Sequence, residues 1–458
     1  MPYTADLDSL RSHSVPSWFR DAKLGIFVHW TPAAIPAFAP LSASPFELAE
    51  TDGWSHAFSH SPYVEWYQNS LSIPGSPVAE FHARHWSGTP YDAFGPQFEA
   101  ANRGWDPSSW ASLFSRVGAR YVVLVTKHHD GFTLWPSAVR NPHRAERWGT
   151  ARDLVGDLGE AVRARGMRYG LYYSGGLDWT FGGLPIDSWP AMMQAIPQTE
   201  EYAAYANAHW RELIDRYGPD VLWNDIGYPV AGRSAQLFAD YYNTHPDGLV
   251  NNRFDFAGAR RGTTHADFTT PEYASETAIR LDMWESTRGI GRSFGYNADE
   301  GDDDLMSVPE LVHLFVDIVS KGGNLLLNVG PTSRGEIPWN QTLRLLGLGE
   351  WLGRNGEAVF GTRPSDRAAG TTAEGLSVRF TSKDDALFAC VLGTPADPRA
   401  ATVEIDVRPT AGSSVTLLGH EGPREWVATD FGCRVTLPAP PSASPGYALR
   451  IDPRPPRP

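Results

Sequence analysis

The sequence predicts an α/β chain, a (β/α)8-like TIM barrel followed by a C-terminal antiparallel β-sandwich. Three observations carry that expectation. Short β-branched runs alternate with helical patterns over most of the chain, the grammar of βα units around a parallel sheet. Helical stretches stop at glycine just ahead of the next run, as barrel helices do. From about Thr362 the helical period gives way to short strands separated by polar turns, the pattern of an all-β module.

Taken in order, the barrel strands are expected at 24–30, 121–128, 167–174, 220–226, 248–253, 281–286 and 324–329. Between the second and third, residues 152–165 place Leu154, Leu158 and Val162 at helical spacing and stop at Gly166. Thr199 is positioned to cap another helix, which ends at Gly218-Pro219 immediately before a strand. The later strands are expected at 376–380, 387–392, 402–407 and 415–418, with Lys383-Asp-Asp as one of the turns. This divides the chain into a catalytic barrel over 1–358, a sandwich over 359–452 and a Pro/Arg tail over 453–458, whose composition predicts disorder. No internal repeat is visible.

A chain of 458 residues fits one large barrel plus one smaller module. Lys and Arg number 39 against 53 Asp and Glu, and the formal charge of −14 argues against nucleic acid and anionic membrane as partners. No stretch approaches the roughly 20 apolar residues of a membrane span. The first residues lack the apolar core of a signal peptide, so a cytoplasmic location is expected. Cys390 and Cys433 are the only cysteines and are expected to be small buried side chains rather than a thiolate metal site. The 17 tryptophans could be core or could stack on sugar rings.

Candidate chemistry gathers at strand ends. His128 and His129 follow the second run directly, and His29 ends the first; the C-terminal ends of barrel strands are where active sites are built. Metal binding is not expected. None of the 14 histidines forms His-x-His, neighbours on a strand face opposite ways, and His56 and His60, although four apart, fall in a loop-like stretch without a zincin glutamate. Polar contacts to a ligand remain. In Asp220-Val-Leu-Trp223-Asn224-Asp225, period-two alternation puts Val221, Trp223 and Asp225 on one face. An inward acid at a barrel mouth beside an aromatic ring is costly unless it is used. Glycoside cleavage needs a second carboxyl, for which Asp130, Glu65, Asp178, Glu272 and Glu285 are all available; spacing does not choose among them. The glycine clusters Gly289-Ile-Gly291-Arg-Ser-Phe-Gly295 and Lys321-Gly-Gly-Asn fit neither nucleotide fingerprint and are expected to be barrel turns.

Five ordered motifs carry a resemblance. Trp18-Phe-Arg-Asp-Ala-Lys-Leu-Gly-Ile-Phe27-Val-His29-Trp30, Val125-Thr-Lys-His128-His129-Asp-Gly-Phe, Gly170-Leu-Tyr172-Tyr-Ser, Leu222-Trp223-Asn-Asp225 and Lys321-Gly-Gly-Asn-Leu-Leu-Leu-Asn-Val-Gly-Pro331 resemble the glycoside hydrolase family 29 α-L-fucosidases. The likeness spans about residues 15–455 and implies that family's barrel and β-sandwich. It also implies a retaining, exo-acting α-L-fucosidase with Asp225 as nucleophile and Glu272, in Thr269-Thr-Pro-Glu272-Tyr, as acid/base. His29, Glu65, Trp66, His128, His129, Tyr172, Trp223 and Arg253 would hold the sugar, and Phe27, Tyr63 and Phe294 would enclose its C5 methyl. The implied partners are fucosylated oligosaccharides or glycoconjugates, with no cofactor, no metal and a possible homo-oligomer. Thr31 departs from the glycine many relatives carry after His-Trp. Two alternatives stand beside this reading: a hydrolase restricted to branched α1,3/α1,4 linkages, and a catalytically silent fucose-binding protein.

Overall fold

The computed structural model describes residues 2–394, 401–438 and 444–455. Seven parallel strands form a curled sheet: β1 (Leu24–Val28), β2 (Tyr121–Lys127), β3 (Arg168–Ser174), β4 (Val221–Asp225), β5 (Leu249–Val250), β6 (Glu285–Gly289) and β7 (Asn324–Val329), in the spatial order β5-β4-β3-β2-β1-β7-β6. The sheet is buried on both faces, which is why its strands read as continuous apolar runs. Phe27, Val123, Val125, Tyr172, Val221, Trp223 and Leu326 point into the curl. Ile26, Val28, Val122, Leu124, Leu171, Leu222 and Leu327 point outward under the helices.

Five of the seven expected strands lie where the sequence places them. β5 is only two residues long, because Asn252–Phe254 turns into a 3-10 helix. β6 begins four residues later than expected, and Leu281 is 91% exposed. The gap between edges β5 and β6 is spanned by an irregular segment. Parallel bridges join Asn251 to Phe268, Thr269 to Trp284 and Glu272 to Thr287, so residues 268–272 take the eighth position of the barrel without forming a regular strand. Glu272 therefore sits on a backbone-paired stave of the barrel.

Helix limits follow their capping chemistry. Asp153 accepts from the Gly156 amide at the start of Leu154–Ala164, and Thr199 from the Tyr202 amide at the start of Glu200–Tyr217. The latter stops at Gly218 in the left-handed conformation that favours glycine. His56 and His60 are helical rather than looped: they belong to Trp54–Ser59 and its cap, with rings stacked 3.9 Å apart. Among the described residues no helix is long and apolar enough to cross a membrane.

The C-terminal strands form two antiparallel sheets. The larger holds β8 (Arg363–Thr371), β9 (Ser377–Lys383), β10 (Ala386–Leu392), β12 (Ser414–Leu417) and β15 (Gly446–Asp452); the smaller holds β11 (Thr402–Ile405), β13 (Trp426–Ala428) and β14 (Cys433–Thr436). Their facing sides share one apolar core, with Phe380, Ala389 and Leu449 meeting Val403, Ile405 and Val435. β10 is buried along its whole length because its other face, Phe388, Cys390 and Leu392, joins the core of the barrel helices. Trp351 Nε1 donates to the Gly446 carbonyl at 2.9 Å and Arg379 pairs with Asp317 at 2.6 Å across this contact. Cys390 and Cys433 are both buried and unpaired, and burial pushes both thiols up to about 12. The start of the expected loose tail is tied down, since the Arg454 amide donates to the Asp385 carbonyl and its guanidinium pairs with Asp366 at 2.9 Å. Residues 456–458 of that tail lie outside the described residues.

Candidate active site

Every strand of the sheet delivers its C-terminal end to the same rim. Asp225 closes β4 and is buried. Its Oδ2 accepts from the Tyr172 hydroxyl of β3 at 2.9 Å, and its Oδ1 from Arg253 Nη1 at 2.8 Å. Arg253 Nη2 reaches Glu272 Oε2 at 3.0 Å, and the Tyr63 hydroxyl donates to Glu272 Oε1 at 2.8 Å. One guanidinium thus holds both carboxylates. Thr270 fixes the fork by accepting from Arg253 Nε at 2.8 Å and, through its carbonyl, from Nη2 at 3.2 Å. Burial opposes the Arg253 charge, but Asp225 and then Glu272 outweigh it and raise its pKa above the ordinary arginine value.

The histidines line the opposite side. His128 and His129 have rings 3.9 Å apart, so the expectation that they face opposite ways fails. β2 ends at Lys127, and the chain turns at once through Gly131, whose φ is +76° and where a Cβ would lie 2.7 Å from Asp178 Oδ1. Beyond the strand, period-two alternation no longer applies. Burial lowers His29 to about 3 and takes His128 and His129 well below the ordinary histidine value, so all three are neutral imidazoles.

Their tautomers follow from the bonds around them. Asn328 Nδ2 donates to the Phe294 carbonyl at 2.6 Å, which leaves its Oδ1 to accept from His29 Nδ1 at 2.6 Å. The Ser174 hydroxyl is committed to the Leu177 carbonyl at 2.6 Å, so it accepts from His129 Nδ1 at 2.6 Å. Both rings therefore carry a bare Nε2 that can accept a hydroxyl hydrogen. His128 Nδ1 is buried with no partner among the described residues. An orphaned buried polar atom in a histidine cluster points to a polar ligand.

Aromatic rings complete the wall. Trp66 packs edge-on against His129 at 5.2 Å and Trp179 at 5.7 Å. Phe294 lies 4.9 Å from His29 and 5.3 Å from Tyr63. Phe27 lies 4.5 Å from His29 and packs on Trp223 at 4.9 Å. Tyr273 adds a further ring beside Tyr63 and Phe294, at 6.3 and 5.4 Å. Trp223 lies deep, with Nε1 donating to Glu285 at 2.9 Å and its ring among Tyr172, Phe27 and Arg253. It supports the pocket floor rather than offering an open stacking face.

Of the five carboxylates left open as partners for Asp225, three are spent elsewhere. Asp130 accepts from Tyr91 at 2.8 Å, Asp178 pairs with the buried Lys127 at 2.8 Å, and Glu285 holds Tyr121 and Trp223. Glu65 stays with the pocket: its Oε2 accepts from the Gly295 amide at 2.8 Å, and burial raises its pKa to about 8 despite that amide. Sequence reasoning missed Tyr273, Trp179, Thr270, Ser174 and Asn328. Thr270, Tyr273, Ser174 and Asn328 stand inside stretches already singled out, but their role depends on which neighbour the fold brings to them. Thr31, the departure from glycine, has an ordinary extended backbone and caps the short helix Pro32–Ala34.

Among the described residues one group of metal-ligating type, His13, His265 and Asp267, has its ligand atoms within 4.8 Å of one another. It lies outside this pocket, and hydrogen bonds already occupy it: His13 to Asp267 and the Pro246 carbonyl, and Tyr242 to Asp267 and His265.

A pocket of two carboxylates on one arginine, neutral histidines and aromatic walls is built for a polyhydroxylated, uncharged ligand. The family model described as Alpha-L-fucosidase matches residues 1–357. This chain belongs to the alpha-L-fucosidase family. It is a glycoside hydrolase on that ground. It is 33% identical over 455 residues to the tissue alpha-L-fucosidase of Homo sapiens, covering 97% of this chain and 90% of that protein. The plasma alpha-L-fucosidase of Pongo abelii is 31% identical over 444 residues, covering 94% and 88%. Among solved structures, the alpha-fucosidase of Thermotoga maritima in complex with fucose matches with a TM-score of 0.86 at 40% identity, covering 98% of this chain and 100% of the other. Coverage at this level includes the barrel and the C-terminal sheets together.

Proposed function

We propose that this alpha-L-fucosidase removes terminal α-L-fucosyl residues from fucosylated oligosaccharides or glycoconjugates with retention of configuration, Asp225 acting as nucleophile and Glu272 as acid and then base. The carrying observation is Arg253, whose two terminal nitrogens hold one carboxylate each. A shared guanidinium keeps the two carboxyl groups close, and retaining enzymes in general hold theirs nearer, at about 5 Å, than inverting enzymes, which leave roughly 6.5–9.5 Å for a water. Tyr172 and Arg253 each donate to an Asp225 oxygen, which holds the carboxylate in one orientation.

In the first step Asp225 attacks the anomeric carbon as the glycosidic bond breaks, and the departing oxygen takes a proton from Glu272. In the resting pocket Tyr63 and Arg253 both donate to Glu272 and so hold its carboxyl group in place beside Asp225. Once Asp225 is esterified it no longer competes for Arg253. Glu272 then has the cation to itself as it deprotonates the water that frees fucose. His29 and His129 offer bare Nε2 atoms to sugar hydroxyls, and Glu65, protonated near neutral pH, can donate to another. The Tyr63, Tyr273 and Phe294 rings form the apolar corner suited to a methyl group. Supporting the same reading, a Thermotoga maritima alpha-fucosidase at 41% identity is known in complex with a mechanism-based inhibitor.

The test is the anomer released first. Proton NMR of early aryl α-L-fucoside hydrolysis should show α-L-fucose ahead of mutarotation. Initial release of the β-anomer would overturn the double displacement. No hydrolysis at all would leave a silent fucose-binding protein.

A further inference from the structure

We infer that an aromatic shelf beside the pocket, made by Phe46, Trp54, Trp189 and Met193, binds the sugar to which the fucosyl group is attached, and that this sugar is uncharged. The inference rests on the reading that the pocket itself holds a terminal fucosyl residue. From Trp66 in the pocket wall a chain of rings runs outward. Phe58 lies 6.0 Å from Trp66, Trp54 lies 5.7 Å from Phe58, and Trp189 lies 4.7 Å from Trp54, with Phe46 at 6.0 Å from Trp54 on another side. Burial falls along the chain: Trp66 is 9% exposed, whereas Phe46, Trp189 and Met193 are 48%, 45% and 54% exposed.

These side chains come from two separate connections at the C-terminal rim. Helices Pro45–Asp52 and Trp54–Ser59 lie between β1 and β2, and helix Trp189–Gln194 lies between β3 and the helix Glu200–Tyr217. Both connections flank the end of β2, which carries His128 and His129. Trp189 and Met193 are four residues apart on one helix and so share a face. Packing does not account for leaving large apolar side chains exposed together at the mouth of a polar pocket. Their continuity with the pocket wall makes a carbohydrate the occupant, because the apolar face of a pyranose stacks on exposed aromatic rings. Charge narrows it further. Helix Pro45–Asp52 carries Glu47, Glu50 and Asp52 and no basic residue, helix Trp54–Ser59 carries His56 but no lysine or arginine, and helix Trp189–Gln194 carries no charge at all. An anionic sugar would be repelled; a neutral one would not.

The experiment compares two leaving groups. α-L-Fucosyl fluoride has nothing to place on the shelf. A panel of neutral fucosylated oligosaccharides covering the α1,2, α1,3, α1,4 and α1,6 linkages supplies the best natural leaving group for the wild type. Trp189→Ala should lower kcat/KM about tenfold on that oligosaccharide and leave fluoride hydrolysis within about twofold, while Trp189→Phe should keep most of the oligosaccharide rate. An equal loss on both substrates, or no loss on either, overturns the shelf. So does a wild type that hydrolyses the fluoride but none of the panel. A Trp189→Ala variant with unchanged oligosaccharide turnover and a lower sedimentation mass would give the patch to a second copy of the chain instead. A wild type inactive on the fluoride would refute the fucosidase reading itself, which keeps the two failures apart.

Discussion

Glu65 offers the sharpest test of the pocket's electrostatics. It is 3% exposed, shares the pocket with Glu272, and is raised by burial to about 8. With a folded value near 8, about nine-tenths of the population is protonated at pH 7 and about one-tenth at pH 9. If the neutral carboxyl is the form that donates to the sugar, kcat/KM should fall roughly tenfold per pH unit above that value. The sign runs one way only: the folded value lies above the unfolded one, so the favourable state exists below about pH 8 and is lost as pH rises. Glu65→Gln fixes a neutral donor of the same shape. α-L-Fucosyl fluoride is the substrate of choice, because its leaving group needs no proton from Glu272 and the remaining basic limb reports Glu65. The wild type should decline through pH 8–9.5 while Glu65→Gln stays flat. Thermal stability should fall in an earlier window, the wild type losing about 1.4 kcal/mol per pH unit between the unfolded value near 4.5 and the folded value near 8 and levelling off above it, with the variant lacking that slope. A basic limb that persists unchanged in Glu65→Gln would refute the reasoning, as would a wild-type profile flat to pH 9.5.

Asp225→Gly should reduce kcat by several orders of magnitude, with external azide restoring part of the turnover and giving β-fucosyl azide; near wild-type turnover would remove Asp225 from its role. Glu272→Ala should depress substrates with poor leaving groups far more than activated aryl fucosides, and Glu65→Ala should not; the opposite pattern would exchange the two residues. Because Tyr63, Tyr273 and Phe294 form an apolar corner, aryl α-L-galactosides, which add one hydroxyl, should be cleaved at about one-hundredth the efficiency of fucosides, and equal efficiency would show that the rings do not hold the methyl. Away from the pocket, burial opposes charge on His13 but its bond to Asp267 prevails and raises it, so the stabilisation is full below about pH 6.5 and is lost as pH rises through the folded value. Melting scans should therefore show the gap between wild type and His13→Gln closing as pH rises from about 6 to about 9, and a constant gap would mean that His13 contributes no charge.

The sequence was most legible where one physical cause dominates. β1 to β4 and β7 are buried almost throughout, and their aliphatic and aromatic runs mark them as strands. The caps at Asp153 and Thr199 and the stop at Gly218 were equally plain. Where pairing is irregular the signal vanished. Residues 268–272 fill the eighth barrel position through isolated bridges, with Pro271 inside and no alternation to read. β8 went unseen because most of its residues are exposed or half-buried, and β13 because it is only three residues long. β15 was missed although Tyr447, Leu449 and Ile451 alternate inward, a signal that was there to be found.

The site divides along the same line. Asp225 and the histidines could be assigned to the rim because a strand end is a local feature. The choice of Glu272 over Asp130, Asp178 and Glu285 could not be made from spacing, since each is an acid near a loop. What separates them is what each touches: Lys127 for Asp178, Tyr91 for Asp130, Tyr121 and Trp223 for Glu285. Only Glu272 shares a guanidinium with Asp225. That arginine also resolves why an acidic chain can place three carboxyl groups in one pocket of neutral histidines. Two of them divide one buried cation, and the third, Glu65, avoids the need for one by keeping its proton. Replacing any of the three changes the hydrogen bonds and charge that the other two meet, so single-residue effects here will not add.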